Sequence, residues 1–184
     1  NLGVSWSLRR PVSEVLRSKL GNTILLIGIG QILAIFLGVT LGLLAGWKRK
    51  TAFDIGALTF SLVAWSIPTF WLGIILLAAG STWFGLPTAG IISPQNTGKP
   101  LITILPDLAK HLFLPTLTLT ILYLGEYMLI MRSSILEVLS EDYILTAKAK
   151  GMSDWQVLWR HALKNAMLPI VTLIAINLGF TVSG

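Results

Sequence analysis

Few side chains in this sequence are of the types that carry out covalent chemistry. Its 184 residues contain eight Asp or Glu, two His and no Cys. The absence of cysteine excludes disulfides, thiolate metal sites and a cysteine nucleophile. The acids lie mostly in loops without a paired spacing, and His111 and His161 do not have a metal-ligand spacing. We therefore predict no catalytic set, no metal site and no cofactor, and a protein that is not itself an enzyme.

One acidic side chain lies inside a strongly apolar run. Glu126 stands within LTILYLGEYMLIM, six residues before Arg132. An ionisable residue at membrane depth is by default a candidate functional site. Glu126 is therefore a candidate for lining a translocation pathway, where it would meet a substrate ammonium group or a cation. Two other interpretations stay open: a partner for a neighbouring helix, or a position nearer the membrane surface. Gln31 and Asn177 are weaker examples of the same kind.

Most of the remaining pattern lies in residues 140–172, SEDYILTAKAKGMSDWQVLWRHALKNAMLPIVT. An acidic pair begins a predicted first helix, with Ser140 as a possible N-cap. Lys148 and Lys150 lie in the last turn, and Gly151 follows at the C′ position. Acids first, bases last and glycine after is the order that the helix dipole and a left-handed C-cap favour. The pattern predicts a capped polar helix that ends in a tight turn.

A second helix follows this turn. Ser153, with Gln156 three residues on, has the pattern of a capping box, and the helix should run to about Asn165. Both helices together would present an exposed aromatic face made by Tyr143, Trp155 and Trp159. One interpretation is an amphipathic segment that lies on lipid. The other is a docking element that fits a groove on a partner protein.

The elements around this block are those of an integral membrane protein. The sequence is 54% hydrophobic and 12% charged, with a mean hydropathy of +0.77, whereas soluble domains carry about 25% charged residues. The net charge of +6 comes from basic residues placed between apolar runs, which is typical of membrane loops and argues against nucleic-acid binding. We predict an all-α polytopic helix bundle in the lipid membrane.

Two domains are expected: an extracytoplasmic amphipathic segment, residues 1–21, and a transmembrane core, residues 22–184. Pro68 should kink the second span or mark a helix break. Because the sequence begins with Asn1 and not Met, and ends at Gly184 inside an apolar stretch, we expect the interior of a longer membrane protein. The expected spans cover residues of about 23–47, 55–84, 112–131 and 167–184, with a polar loop at 132–165 between the last two.

Small residues recur every four positions along the first predicted span. Such a stripe allows the backbone of another helix to approach closely. The alternative is that glycine is simply frequent in membrane helices. We favour a packing face made by Gly30, Ala34, Gly38, Gly42 and Gly46.

The distribution of basic residues indicates the orientation. If each run crosses once, residues 48–50 and 132–165 share one side, which carries eight Lys or Arg. Residues 1–21 and 85–111 share the other side, which carries six. The excess of positive charge places the 132–165 loop in the cytoplasm.

The stretch DYILTAKAKGMSDWQVLWRHALKNAMLPIVT closely resembles the cytoplasmic EAA loop of ABC-importer permeases. The resemblance is to the dipeptide, oligopeptide and nickel branch, in which similar loops contain a TARAKG-like segment followed by RHALRNALLP. Gly151 takes the place of the motif glycine and Ala147 that of its second alanine. The general motif is departed from at Leu145, His161 and Lys164, which stand where Glu, Ile and Pro would be. These departures match the peptide branch better than the sugar or phosphate importers.

The resemblance continues along nearly the whole chain. RRPVSEVLRSKLGNT looks like the external segment before the second family span, SIPTFWLGIILL like the third span, and RSSILEVLSEDY like the lead into the loop. The complete family subunit has six spans. This chain would hold the second to the fourth and most of the fifth.

The resemblance implies a mechanism and partners. Two permease subunits would form a pathway, two cytoplasmic ABC ATPase subunits would bind beneath them, and an extracytoplasmic substrate-binding protein would deliver a peptide, nickel or an oligosaccharide. The sequence contains no GxxxxGK[ST] phosphate loop, so ATP hydrolysis is expected on another chain. The implied location is the cytoplasmic (inner) membrane of a prokaryote. The residues expected to couple the loop, within 140–165, to the ATPase are Tyr143, Ala147, Lys148, Gly151 and Asp154, with Lys150 as a further contact.

Two other functions remain open. An ion-gradient-driven secondary transporter or channel would use interrupted helices around intramembrane charges, and Pro68 and Glu126 fit that description. A membrane scaffold without transport is the third possibility. Binding of a partner ATPase distinguishes the importer from both.

Overall fold

The fold was analysed in a computed structural model, which describes residues 3–183, with side chains except those of Ser18 and residues 180–183. Over that range the only β pairing is an isolated bridge between Val4 and Pro11. The predicted all-α class is confirmed. The helices are α1 (Val12–Trp47), α2 (Ala52–Ser66), α3 (Thr69–Phe84), α4 (Leu101–Val138), α5 (Asp142–Ala149), α6 (Asp154–Val157), α7 (Leu163–Ala166) and α8 (Leu168–Ser183), with a 3-10 turn at Pro94–Asn96 and a π-helical turn at Leu158–Ala162.

Three helical stretches in the described chain are long and apolar enough to cross a membrane. They are Val12–Trp47, Leu101–Val138 and Asp154–Gly179. The broken pair of α2 and α3 would add a fourth if it forms one span. The four predicted spans are therefore obtained only if α2 and α3 together form one span.

The helices differ in length from the predicted spans. α1 begins at Val12 and is continuous to Trp47, whereas the first predicted span begins only at about residue 23. Neither proline nor a capping sequence interrupts residues 12–47, so the helix continues across the change in polarity. Where the membrane boundary lies along α1 stays a prediction.

Proline acts differently at two positions. Before Pro68 the helix ends, with Ile67 in an extended conformation (φ −75°, ψ 127°), because the residue before proline is driven out of the helical region. This confirms the predicted break. Pro115, by contrast, lies well inside α4, as does Pro106.

The chain divides into two compact units. The first contains Asn1–Gln31 and Thr69–Leu119. In this unit Asp107 accepts hydrogen bonds from the backbone N–H (2.6 Å) and the hydroxyl (2.8 Å) of Ser93. The contact fastens the polar connection between α3 and α4 to the beginning of α4.

The second unit contains Ile32–Pro68 and Thr120–Gly184. Its core gathers apolar side chains of α1, α4, the loop helices and α8. The largest fully buried members are Tyr127, Met131, Ile135, Ile144, Leu158 and Ile170. The loop helices therefore belong to the same packed core as the predicted spans.

Close approach of α1 to α4 depends on glycine. A Cβ atom on Gly38 would lie 2.7 Å from Tyr127 Cβ, and one on Gly42 would lie 2.5 Å from the Met128 carbonyl oxygen. Real Cβ atoms do not come so close to such atoms. A Cβ atom on Gly46 would likewise come too close to the Ile135 side chain. Ala34, the other small residue of the stripe in this unit, is completely buried. We call the contact of Gly38, Gly42 and Gly46 with α4 the glycine seam.

Gly30, the remaining glycine of the predicted stripe, lies in the first unit. A Cβ on Gly30 would stand 3.1 Å from Leu119 Cβ. This is a tight contact that a small shift of the neighbour would relieve. Gly30 therefore permits close packing in its own unit, although less stringently than the seam glycines.

Candidate functional site

The polar block folds as the helix-turn-helix predicted from its caps. α5 begins after Glu141, which has the extended backbone of an N-cap residue but makes no side-chain capping bond. Ser140 instead donates its hydroxyl proton to the Glu137 carbonyl at 2.6 Å. The prediction that Ser140 is the N-cap is therefore wrong by one residue, because its hydroxyl is taken by the end of the preceding helix.

The turn after α5 is a Schellman motif. The Gly151 N–H donates to the Lys148 carbonyl (2.9 Å) and the Met152 N–H to the Ala147 carbonyl (3.4 Å). Gly151 has φ +81° and nothing within 4 Å of a Cβ built on it. Only the backbone conformation requires glycine here, since a side chain would find room but not an unstrained φ.

The second helix begins with the predicted capping box. Ser153 Oγ accepts from the Gln156 N–H (3.4 Å), and Gln156 Oε1 accepts from the Ser153 N–H (3.0 Å). The helical backbone then continues through the π-helical turn to Ala166, close to the predicted end at Asn165. Val157 and Leu158 are buried in the core, so this helix is seated firmly.

An aromatic surface faces outward from this motif. Tyr143, Trp155 and Trp159 are 38%, 63% and 48% exposed. The two tryptophan rings pack edge to face with their centroids 5.3 Å apart. Large exposed apolar side chains at a defined position favour contact with lipid or a protein partner over contact with water.

Not every predicted coupling residue lies on this outer surface. Ala147 is only 5% exposed and belongs to the core of the second unit. Its small side chain allows α5 to pack on its own protein, which does not support the expected contact with a groove on a partner. Lys150 and Gly151 are exposed.

Two coupling candidates form an ion pair. Lys148 Nζ lies 3.4 Å from Asp154 Oδ1, and their side chains are 48% and 73% exposed. Both line a pocket of about 410 Å³, together with Gly46, Arg49 and others at the end of α1. The pair joins the end of α5 to the beginning of α6 at a surface that a partner can reach.

Two hydrogen bonds attach the motif to the helix before it and close it on itself. The buried Ser134 hydroxyl of α4 donates to the Ala166 carbonyl at 2.9 Å. Asn165 Nδ2 donates to the Tyr143 hydroxyl at 2.7 Å. The beginning and the end of the motif are therefore held together, and its exit is held to α4.

The structure also brings together two charges that the sequence analysis did not connect. Arg132 of α4 donates through Nε to Asp54 Oδ1 and through Nη2 to Asp54 Oδ2 (2.9 Å). Asp54 also accepts the Lys50 N–H at 2.9 Å. The side chain of Asp54 is 4% exposed and that of Arg132 is 21% exposed. The sequence does contain a signal for Asp54. It is a single acid in the first turn of α2, shortly after three consecutive basic residues at 48–50.

Glu126 lies half-buried in α4 and faces α8. Its Oε2 accepts a hydrogen bond from Asn177 Nδ2 at 3.3 Å, and the same amide donates to the Tyr127 hydroxyl at 3.3 Å. Two intramembrane polar residues of the sequence analysis are thus partners. This geometry supports the alternative interpretation that Glu126 joins neighbouring helices.

Within the described residues, no three His, Cys, Asp or Glu are grouped so that they could hold a metal ion. His111 is buried in α4, with Nδ1 2.9 Å from the Asp107 carbonyl. The second unit combines a packed helical core with an outward-facing helix-turn-helix.

Comparison with known proteins identifies this combination. A family described as binding-protein-dependent transport system inner membrane component matches residues 38–184. The chain belongs to this family. The match includes the glycine seam, the broken helix pair and the whole helix-turn-helix, and the family description confirms the predicted inner-membrane location.

Curated relatives of this chain are permeases. The chain is 37% identical to a putative peptide permease protein of Brucella suis biovar 1 in an alignment of 188 positions that covers 100% of this chain and 57% of the relative. It is 39% identical to a probable peptide ABC transporter permease protein of Sinorhizobium fredii in an alignment of 187 positions, which again covers 100% of this chain and 57% of the relative. It is 35% identical to the dipeptide transport system permease protein DppB of Escherichia coli K12 in an alignment of 201 positions that covers 100% of this chain and 59% of DppB.

These relatives agree with the resemblance read from the loop sequence. They are named permeases of peptide or dipeptide transport and not enzymes, as the sequence analysis expected. The chain spans somewhat more than half of their length. The assignment to the peptide branch of the ABC-importer permeases is thus confirmed at the level of family.

Proposed function

We propose that this chain forms part of the translocation pathway of an ATP-driven importer of peptides and transmits the action of separate ATPase subunits through residues 140–165. The observation that carries the proposal is the capped helix-turn-helix, which presents Tyr143, Trp155 and Trp159 outward while its other side is packed in the membrane bundle. A rigid element whose aromatic face is exposed and whose inner side is packed in the core can be displaced as a unit by a partner that binds this face.

The proposed orientation follows from the distribution of charge. Residues 48–50 and 132–165 face the cytoplasm, and residues 1–21 and 85–111 face the opposite side, with residues 22–184 as the membrane core. Support comes from the excess of basic residues near the first set. The proposed spans cover residues of about 23–47, 55–84, 112–131 and 167–184, and the α2–α3 pair forms the second of them.

The proposed assembly contains two permease subunits, two cytoplasmic ATPase subunits and an extracytoplasmic binding protein. The names of the relatives favour peptide as substrate over the nickel and oligosaccharide considered above. Tyr143, Lys148 and Asp154 are proposed contacts with the ATPase because they are exposed. Gly151 acts through the turn that joins the two helices.

Glu126 is retained as a candidate pathway residue of lower rank. Its hydrogen bond to Asn177 supports a role in helix packing, and its partial exposure within the second unit leaves a second face for substrate. Replacement by Gln would keep the amide contact and remove the charge. Lower affinity for cationic peptides, with unchanged uptake of neutral peptides, would support the pathway role.

The test of the proposal is purification of the native complex that contains this chain, in mild detergent, with identification of the proteins that come with it. The variant Gly151→Asp would be compared with Gly98→Asp. Gly98 also has φ +81° and open space around its Cβ position, but it lies in the connection between α3 and α4, on the proposed opposite side. The two variants therefore impose the same backbone strain at different places.

The importer proposal expects a P-loop ATPase with the wild type and with Gly98→Asp, and its loss from Gly151→Asp. Retention of the ATPase by both variants would contradict the role of the loop. If no ATPase accompanies the wild type while the membrane complex is intact, the importer proposal fails. Dependence of uptake on an ion gradient would then be measured, with Glu126 as the first residue to replace.

A further inference from the structure

The paired charges of Asp54 and Arg132 have no place in the function proposed so far. They lie 78 positions apart in sequence and meet in the second unit. Arg132 donates from two nitrogens to the two oxygens of one carboxylate. Such a two-pronged contact sets distance and orientation together, because both the guanidinium and the carboxylate are planar. We call the pair and its bond to the Lys50 N–H the Asp54 clasp.

The clasp holds a short polar turn in one conformation. Lys50 has φ +64°, a left-handed conformation that side chains other than glycine rarely adopt. Its N–H is accepted by Asp54, whose own N–H lies 3.3 Å from Thr51 Oγ1 at the N-cap of α2. The carboxylate therefore stabilises the turn between α1 and α2 and the start of α2 at once.

The other half of the clasp lies next to the coupling loop. Arg132 is followed two residues later by Ser134, which donates to the Ala166 carbonyl at the exit of the loop. The same part of α4 contributes Arg132 and Ile135 to the contact with Gly46. One turn of α4 is thus bonded on one side to the α1–α2 turn and on another to the helix-turn-helix.

Burial gives the clasp its importance. The Asp54 side chain is almost completely removed from solvent, and a buried carboxylate is retained only when it is paired and hydrogen-bonded. An exposed ion pair such as Lys148 with Asp154 would separate without much consequence. Separation of Asp54 from Arg132 would leave one charge without its partner in a poorly hydrated place, so the contact stays closed while its surroundings move.

We propose that Asp54 and Arg132 are positioning residues for transport. The clasp joins the α1–α2 turn to α4, and the bond from Ser134 to the Ala166 carbonyl joins α4 to the exit of the loop. Together these contacts make the three elements move as one body, so that a displacement of the loop reaches the beginning of α2. This inference rests on the proposed function. The inference adds to that function a physical connection between the loop proposed to bind the ATPase and the beginning of the α2–α3 span.

The inference is tested in the native complex in proteoliposomes. The variants are Asp54→Asn, Arg132→Gln and the charge-conserving Arg132→Lys, with Glu137→Gln as control. Glu137 is exposed on the same helix and takes part in no ion pair within residues 3–183. Three quantities are measured: ATPase retained per complex, ATP hydrolysed without substrate, and peptide taken up per ATP.

We expect Asp54→Asn and Arg132→Gln to assemble with the ATPase and to hydrolyse ATP, while uptake per ATP falls by about three- to thirtyfold. Arg132→Lys should fall between these variants and wild type, because it keeps the charge and loses the second hydrogen bond. Glu137→Gln should match the wild type. This separation of uptake from hydrolysis is what a residue needed only for folding would not produce.

Two results would overturn the inference. One is unchanged uptake per ATP in Asp54→Asn and Arg132→Gln. The other is a fall of uptake and hydrolysis in the same proportion as the amount of assembled complex, in Arg132→Lys as well as in the harsher variants. Should Asp54→Asn not assemble, Arg132→Lys alone decides between these outcomes. Failure of the proposed function is recognised separately, because then no ATPase accompanies the wild type.

Discussion

The glycine seam and the turn at Gly151 use the same residue type for opposite reasons. Gly42 has a helical backbone, and its absent side chain is what matters, since a Cβ would lie 2.5 Å from a carbonyl oxygen of α4. Gly151 has open space around it, and its φ of +81° is what matters. Glycine therefore acts through packing between helices at the seam and through backbone conformation in the loop.

The difference has a consequence for how each region tolerates change. At Gly38 and Gly42 the nearest atoms are backbone or Cβ atoms of α4, which cannot move aside, so even one added methyl group is felt. At the turn the strain is local and depends on which residues accept a left-handed conformation. Substitutions that separate size from conformation test the comparison directly.

The largest effect is expected from Gly42→Ala in α1. The added methyl group should destabilise the folded protein by about 2 kcal/mol, the range of overpacking in a close-packed core. Thermal unfolding in detergent, followed by size-exclusion chromatography, would measure it. The control is Gly28→Ala in the same helix, where nothing lies within 4 Å; the better helix propensity of alanine should make it neutral or slightly stabilising. Equal behaviour of the two variants would contradict the seam.

A smaller effect is expected from Gly151→Ala. A left-handed conformation costs an L residue with a side chain about 1.5 kcal/mol, and hydrogen exchange of the backbone amides in residues 142–157 should rise by the corresponding factor. Gly151→Asn should have a much weaker effect, because asparagine tolerates this conformation. If the larger Asn were worse than Ala, space and not conformation would govern the site, and the comparison with the seam would fail.

The cap of the second loop helix should contribute less again. Ser153→Ala removes the hydroxyl that accepts the Gln156 N–H, which should weaken the start of α6 by about 1 kcal/mol. Limited proteolysis between residues 150 and 156 would report the fraying. Ser140→Ala is the matched control, since Ser140 does not cap α5. Similar proteolysis of both variants would mean that the capping box does not hold the loop in solution.

The smallest effect on stability is expected from Lys148→Gln. Its ion pair with Asp154 is exposed on both sides, and such pairs contribute at most about 1 kcal/mol and often nothing measurable. The melting temperature should therefore stay the same, whereas ATPase binding should weaken if Lys148 contacts that subunit. A clear fall in melting temperature at unchanged ATPase binding would assign Lys148 to the fold of the loop and not to the interface.

Much of the local structure was predictable because its causes are local. The capping box at Ser153, the left-handed glycine at 151 and the break before Pro68 depend on residues at most a few positions apart. The N-cap predicted at Ser140 was wrong by one residue, and the full length of α4 beyond the predicted span of 112–131 was not foreseen, since a helix continues wherever nothing stops it. α4 accommodates both of its prolines and extends from Leu101 to Val138.

The sequence by itself determined that this is a helical membrane protein, that small residues form a stripe along its first span, and that a capped polar motif interrupts its apolar runs. Hydropathy, spacing and caps are properties of residues close together in the chain. Only the tertiary structure decided that Ala147 points into the protein, that Glu126 meets Asn177, and that Asp54 binds Arg132. These contacts join helices far apart in the chain, and which residues meet depends on how the helices pack, a property that no short stretch of sequence contains.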